Sequence, residues 1–142
     1  MPCGLGAGRR RRGREDGQSL VELALVLPIF LLLLFGIVDF GMGFQSWITV
    51  TNSSREGARL GAVGADSAAI EARVRQTADS LDQAQLSVAV TNAGGPPGES
   101  VVVEASYNYS FITPLSSIAS LVSGGTLPAT LTLSSTAEMR LE

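Results

Sequence analysis

The sequence predicts an α+β protein: a long N-terminal helix that crosses a membrane and continues beyond it, a second short helix, then a small antiparallel sheet of about three strands. Three observations carry this. Leu23 to Val38 is an apolar run without a charge, helical spacing with no proline follows from Phe44 to Ala65, and beyond Gln85 the apolar residues alternate instead. With 142 residues, 45% of them hydrophobic and many of those in one span, the remainder from about Thr51 can bury only a small core. The partition is a basic cytoplasmic leader over 1–17, a transmembrane helix over 18–43, an exported helical segment over 44–83 and a C-terminal antiparallel β region over 84–142.

The leader holds Arg9, Arg10, Arg11, Arg12 and Arg14, half of the chain's ten basic residues, and lysine is absent. Beyond Gly17 five arginines face eleven carboxylates, a balance that repels phosphate and argues against nucleic acid as a partner of the exported part. Cys3 is the only cysteine and lies before the arginine cluster with no apolar segment ahead of it, which excludes an intrachain disulfide, a multi-cysteine metal site and lipidation. Histidine is absent, and with it the usual general base and Ser-His-Asp or Cys-His arrangements.

Thirteen of the sixteen residues from Leu23 to Val38 are Leu, Ile, Phe or Val. Each contributes about −0.3 to −0.6 kcal/mol to insertion, together on the order of −5 kcal/mol before penalties. From Ser19 to Phe40 a helix measures about 33 Å, enough for a hydrocarbon core of roughly 30 Å with Glu22 and Asp39 near its two faces. The arginine cluster sets the N-terminus in the cytoplasm and the C-terminal domain outside, since the next basic residue is Arg55. Pro28 removes a backbone donor and predicts a kink in the cytoplasmic half. Gly36 and Gly43 share a helical face that permits close helix packing, though glycine is common in such helices.

The junction Gly17-Gln18-Ser19-Leu20-Val21-Glu22 admits three readings. A secretory signal would end in a small-x-small site, and Asp39-Phe40-Gly41-Met42-Gly43 offers only a Gly-x-Gly match. An uncleaved anchor explains the arginines and the apolar run but leaves Glu22 without a partner. Cleavage on the cytoplasmic side, after Gly17, makes Gln18 a new N-terminus whose amine lies four residues from Glu22 on the same helical face, a counter-ion for a carboxylate otherwise costly in lipid.

Gly17-Gln18-Ser19-Leu20-Val21-Glu22-Leu23-Ala24-Leu25-Val26-Leu27-Pro28, continuing to Phe35-Gly36-Ile37-Val38-Asp39-Phe40-Gly41, resembles the TadE-like family pattern "GQ-x-x-VE-x-A-x-x-LP" followed by "FG-x-x-[DE]-FG". Asn52-Ser53-Ser54-Arg55-Glu56-Gly57-Ala58-Arg59 is similar to that family's "N-x-x-REGAR" element. The resemblance implies a minor pilin or pseudopilin of a tight-adherence (Flp) pilus, a machine of the type IV pilus and type II secretion kind. It also implies processing by a prepilin peptidase between Gly17 and Gln18, with Glu22 as the required glutamate. The family-motif residues are Pro28, Gly36, Asp39, Gly41, Asn52, Arg55, Glu56, Gly57 and Arg59. Many small pilins of these systems carry an aromatic after that glutamate; Leu23 stands here, which favours an accessory subunit over a major filament protein.

In the exported part, Ser54, Ala58, Gly61, Ala62 and Ala65 fall on one helical face, either a close-packing seam against a partner or sheet or simply the small residues of a crowded surface helix. Arg55, Glu56 and Arg59 form a charged face in which Glu56 reaches Arg59, with solvation as its default role. Asp66 or Ser67 caps a second helix whose stripe is Ile70, Val74, Ala78 and Leu81. Leu86, Val88 and Val90 share one side of a first strand, and Val101, Val103, Ala105, Tyr107, Tyr109 and Phe111 one side of a longer second, with Asn92 to Gly98 as the hairpin loop. Leu131, Leu133, Ala137, Met139 and Leu141 mark a third strand after an irregular stretch that includes Pro114, Gly124, Gly125 and Pro128. The aromatic face reads as core against a helix in preference to a binding stripe.

The favoured reading is a single-pass cell-membrane assembly subunit whose partners are membrane lipid, a prepilin peptidase and other pilin-like subunits. No cofactor, metal, nucleic acid or small-molecule substrate is expected. The alternative is an uncleaved, membrane-tethered extracytoplasmic binding module. An enzyme is disfavoured, because Asp79, Asp82, Glu99 and Glu104 show no pairing pattern and no nucleophile has a base.

Overall fold

The computed structural model describes residues 12–114, 117, 120, 124 and 130–142. Arg9 to Arg11, Cys3, Gly125 and Pro128 lie outside the described residues. Helix α1 is Arg12–Ala62, α2 is Ser67–Thr77, and the strands are β1, Leu86–Thr91, β2, Ser100–Ser110, and β3, Thr130–Arg140. The sheet is an antiparallel meander in the order β1-β2-β3. This is the α+β architecture that the change of periodicity predicts.

Helix α1 runs 51 residues, about 76 Å at 1.5 Å per residue, and continues through Pro28. Its described part starts at Arg12. Two halves have opposite environments. Residues 17–30 are exposed throughout, and from Gly17 onward the first buried residue is Asp39. From there α1 becomes the spine of a head, with Val50, Ser53, Ser54 and Ala58 each fully covered.

Gly64 ends α1 because the turn needs a positive φ, here 85°, which a glycine adopts without a Cβ clash. Gly64 N–H donates to the Gly61 carbonyl at 2.9 Å and Ala65 N–H to Leu60 at 3.4 Å, the paired bonds of a Schellman motif. Asp66 then caps α2, its carboxylate accepting from Ala69 N–H at 2.9 Å. Ile70, Val74 and Ala78 are fully buried, and Leu81 packs against the same cluster.

Strand β2 pairs along all of β1, from Leu86 opposite Tyr107 to Thr91 opposite Val102. On its other edge β3 pairs in full, from Ser100 opposite Arg140 to Ser110 opposite Thr130. The side facing α1 carries Val101, Val103, Ala105 and Tyr109, all buried, with Ala137 and Leu141 beside them. The seam of small residues is thus a contact within the chain. A Cβ on Gly61 would stand 3.0 Å from both Val101 methyls, and one on Gly57 would stand 2.5 Å from Val74 Cγ2 and 3.3 Å from Val103 Cγ1. Only bare backbone lets α2 and the sheet close on α1 at this height.

Strand and helix lengths match. Gly57 lies against Val103 and Gly43 against the Tyr109 ring. Fourteen helical steps cover about 21 Å and six strand steps about 20 Å, so β2 runs antiparallel to α1 and descends toward its exposed apolar half. The end of β3 returns to the top of the head, where Glu142 N–H donates to the Ala62 carbonyl at 3.1 Å.

Candidate membrane and assembly interface

The sequence-predicted site residues fall into two groups separated along α1. Gly17, Gln18 and Glu22 stand exposed on the free half of the helix, with Pro28 also exposed. Gln18 and Glu22 are four residues apart on one face. None of the ion pairs among the described residues involves Glu22. A Cβ on Gly17 or Gly36 meets nothing within 4 Å. The most apolar 18-residue window of this helix has no part buried within the chain. Leu25, Ile29 and Ile37 are 71%, 67% and 66% exposed, an apolar surface that water does not tolerate along a whole helix. One N-terminal helix of this kind fits a single-pass membrane protein.

The second group belongs to the head. Asp39 is 2% exposed. Its carboxylate accepts from Ile112 N–H at 2.9 Å and Thr113 N–H at 3.3 Å, and closely from the Thr113 hydroxyl. Tyr109 Oη donates to the Asp39 carbonyl at 3.2 Å and lies 3.5 Å from its Oδ1. Burial, and then the Asp39 charge, hold the Tyr109 phenol above its ordinary pKa, so it stays a donor throughout the neutral range. A carboxylate this dry persists because three donors converge on it, with the Tyr109 hydroxyl beside them. The arrangement is a clamp: it fixes the segment leaving β2 to the point where α1 emerges from its apolar half.

Nothing in the sequence marks Tyr109, Ile112 and Thr113 as partners of Asp39. They follow it by 70 to 74 residues, a separation that no local spacing encodes. The available signal was the cost of a carboxylate at the end of an apolar run, which demands donors from somewhere. Phe40 and Gly41, its motif neighbours, are exposed.

The Asn52 to Arg59 element divides by helical phase. Gly57 and Ala58 face inward, whereas Asn52, Arg55 and Arg59 are exposed. Glu56 meets Arg59 at 3.5 Å, as the spacing predicts, and also Arg73 of α2 at 3.5 Å. Such solvated pairs contribute about 0–1 kcal/mol each, so the element's structural weight rests on Gly57 rather than on its charges.

Between α1 and the lower end of the sheet lies an apolar groove of about 180 Å³. Its walls include Phe40, Phe44, Trp47, Tyr109, Phe111 and Leu131. Phe44 and Trp47 meet in a tilted pair with ring centroids 5.7 Å apart, and Tyr109 meets Phe111 edge-on at 6.0 Å. The aromatic strand face is therefore core at Tyr109 and partly open at Phe111.

The family model described as "TadE-like protein" matches residues 17–59, which take in both motif elements quoted above. No curated protein and no solved structure matches the chain. The family and the free apolar helix together fit a membrane protein associated with a Tad pilus.

Proposed function

With residues 17–59 those of the TadE-like family, we propose that the chain is a minor pilin or pseudopilin-like subunit of a tight-adherence (Flp) pilus or related secretion machine, matured by a prepilin peptidase after Gly17. The observation that carries this reading is the coincidence of the Gly17-Gln18…Glu22 pattern with an apolar half-helix that finds no cover in its own chain. Such a helix requires lipid before assembly and neighbouring helices after it. Trimming supplies a Gln18 ammonium next to Glu22, and the pair sets the axial register of one subunit against another. The head presents α2 and the sheet outside the membrane to the rest of the machine.

The fold also argues against a signal-peptidase product. A cut near Gly43 would remove Asp39 and leave the Ile112 and Thr113 donors of the clamp without their acceptor.

Co-expression with an active prepilin peptidase should shorten the protein by its first seventeen residues in intact-mass analysis. Gly17→Ala should abolish that change while leaving the fold untouched, because the added methyl meets nothing within 4 Å. The substitution also favours helix by about 1 kcal/mol, stiffening α1 where a protease needs it open. An unchanged mass beside a matured control substrate would favour the tethered binding module instead. Glu22→Gln should leave membrane insertion intact and reduce co-purification with other pilin-like subunits about tenfold, the effect of about 1.4 kcal/mol of lost pairing. Undiminished co-purification would remove the pairing role.

A further inference from the structure

We propose that the groove and the exposed apolar collar around it are seated in the headgroup layer of the outer leaflet, so that the head lies on the bilayer surface instead of standing clear of it. This rests on the membrane-anchored reading of α1 and adds a specific lipid-contact surface to the exported head.

Three independent observations converge. The first is axial distance. With Glu22 at the inner face, roughly 30 Å of hydrocarbon ends near residue 42, and a headgroup layer of about 5–7 Å covers the next five residues. Phe44 and Trp47 fall in that layer, and Tyr109, which touches Gly43, brings the lower end of the sheet to the same height. The second is continuity. Phe40, Phe44 and Trp47 are 78%, 52% and 43% exposed, and they extend the bare surface of Ile37 and Val38 without a polar break, while Ile112 and Leu131 add 64% and 50% exposed apolar side chains from the sheet end.

The third is charge. Residues 40–54, 105–114 and 130–137 contain no Asp, Glu, Lys or Arg; Arg55, Glu56, Arg59, Arg73 and Arg140 lie higher in the head, and Arg75, bonded to the Leu86 carbonyl opposite Tyr107, lies on the far, β1 edge of the sheet. Of the carboxylates near the base, Asp39, beside the groove, is sealed inside by its clamp, and Asp82 lies in the turn before β1, on the opposite edge of the sheet from β3. Aromatic residues with a polar edge concentrate at bilayer interfaces because the ring is taken up by the acyl boundary while its N–H or O–H stays hydrated. A rim facing open water would need none of this partition.

Trp47 is the only tryptophan, so its fluorescence reports on the collar without labelling. The full chain is reconstituted in phosphatidylcholine vesicles and checked for flotation after alkaline washing. Trp47 should be quenched about twofold more by a nitroxide high on the acyl chain than by one near the bilayer centre, and should be shielded from aqueous iodide. A protein that floats but whose Trp47 is quenched freely by iodide and not by lipid nitroxides overturns the seating alone. Stronger quenching from the bilayer centre overturns the depth. Shielding from both quenchers means that protein, a second copy included, covers the groove, and overturns it equally. Failure to float would instead remove the membrane reading beneath it.

Discussion

Asp39→Ala should release the lower end of the sheet from α1 and lower the stability of the head by about 3 kcal/mol. The reasoning is one of orphaned donors. The carboxylate accepts two backbone N–H groups and the Thr113 hydroxyl, and hydrogen bonds to a charged acceptor contribute about 1.5–3 kcal/mol each when the donors stay buried after its loss. Ile112 is largely exposed, so water rescues part of that cost and keeps the total near the lower end. A domain of this size has on the order of 4–12 kcal/mol in all, which makes the loss large. In detergent, with a urea dependence of about 1 kcal/mol per molar, the unfolding midpoint of the head should fall by about 3 M. Amide exchange should quicken first at Ile112 and Thr113. A midpoint within experimental error of the parent would mean that the clamp is incidental to stability.

Gly57→Val should be about as damaging, for the opposite reason. Even the first added carbon would meet Val74 Cγ2 at 2.5 Å, with Val103 Cγ1 at 3.3 Å and Ile70 Cγ2 at 3.4 Å. All three neighbours are themselves fully buried, so none can turn away into solvent. Overpacking of this kind costs about 1–3 kcal/mol, and a branched side chain belongs at the upper end. Gly41→Val is the matched control, since an added Cβ there meets nothing within 4 Å. Near-ultraviolet circular dichroism of the head against urea should show a drop of 2–3 M for the first variant and no drop for the second. Equal behaviour of the two would contradict the close approach of α2 and the sheet to α1.

These two positions also show what is legible in a sequence of this kind. Local chemistry reads well. The Asp66 cap, the Ile70, Val74 and Ala78 stripe and the alternation in β2 each arise from neighbours a few residues apart, and each occurs in the structure. Choices that depend on which surfaces meet do not read in the same way. Ser54, Ala58 and Gly61 mark a face by their spacing, but Gly57 lies off that single line. It is buried because α2 and the sheet cover a wider arc of α1 than one partner would. Arg73 joins Glu56 for the same reason, across seventeen residues and between helices. At the base of the head, Leu131, the second residue of β3, is half-exposed, because the lower end of the strand extends to the rim of the groove rather than into the core.

The family motif acquires a physical division from this geometry. Its first part, through Glu22 and Pro28, lies on bare helix and has no work within the fold. Asp39 and Gly57, in its later parts, hold α1 to the head at two heights. One uninterrupted α1 serves both the free apolar half and the spine of the head, so the position of the first is passed directly to the second.

Processing after Gly17, as proposed, would make Gln18 the first residue of α1. N-terminal sequencing of the protein isolated from its native envelope, in cells where sister pilins are matured, should read Gln-Ser-Leu-Val-Glu, the sequence from Gln18 to Glu22. A sequence beginning at Met1 or near Phe44 would contradict it.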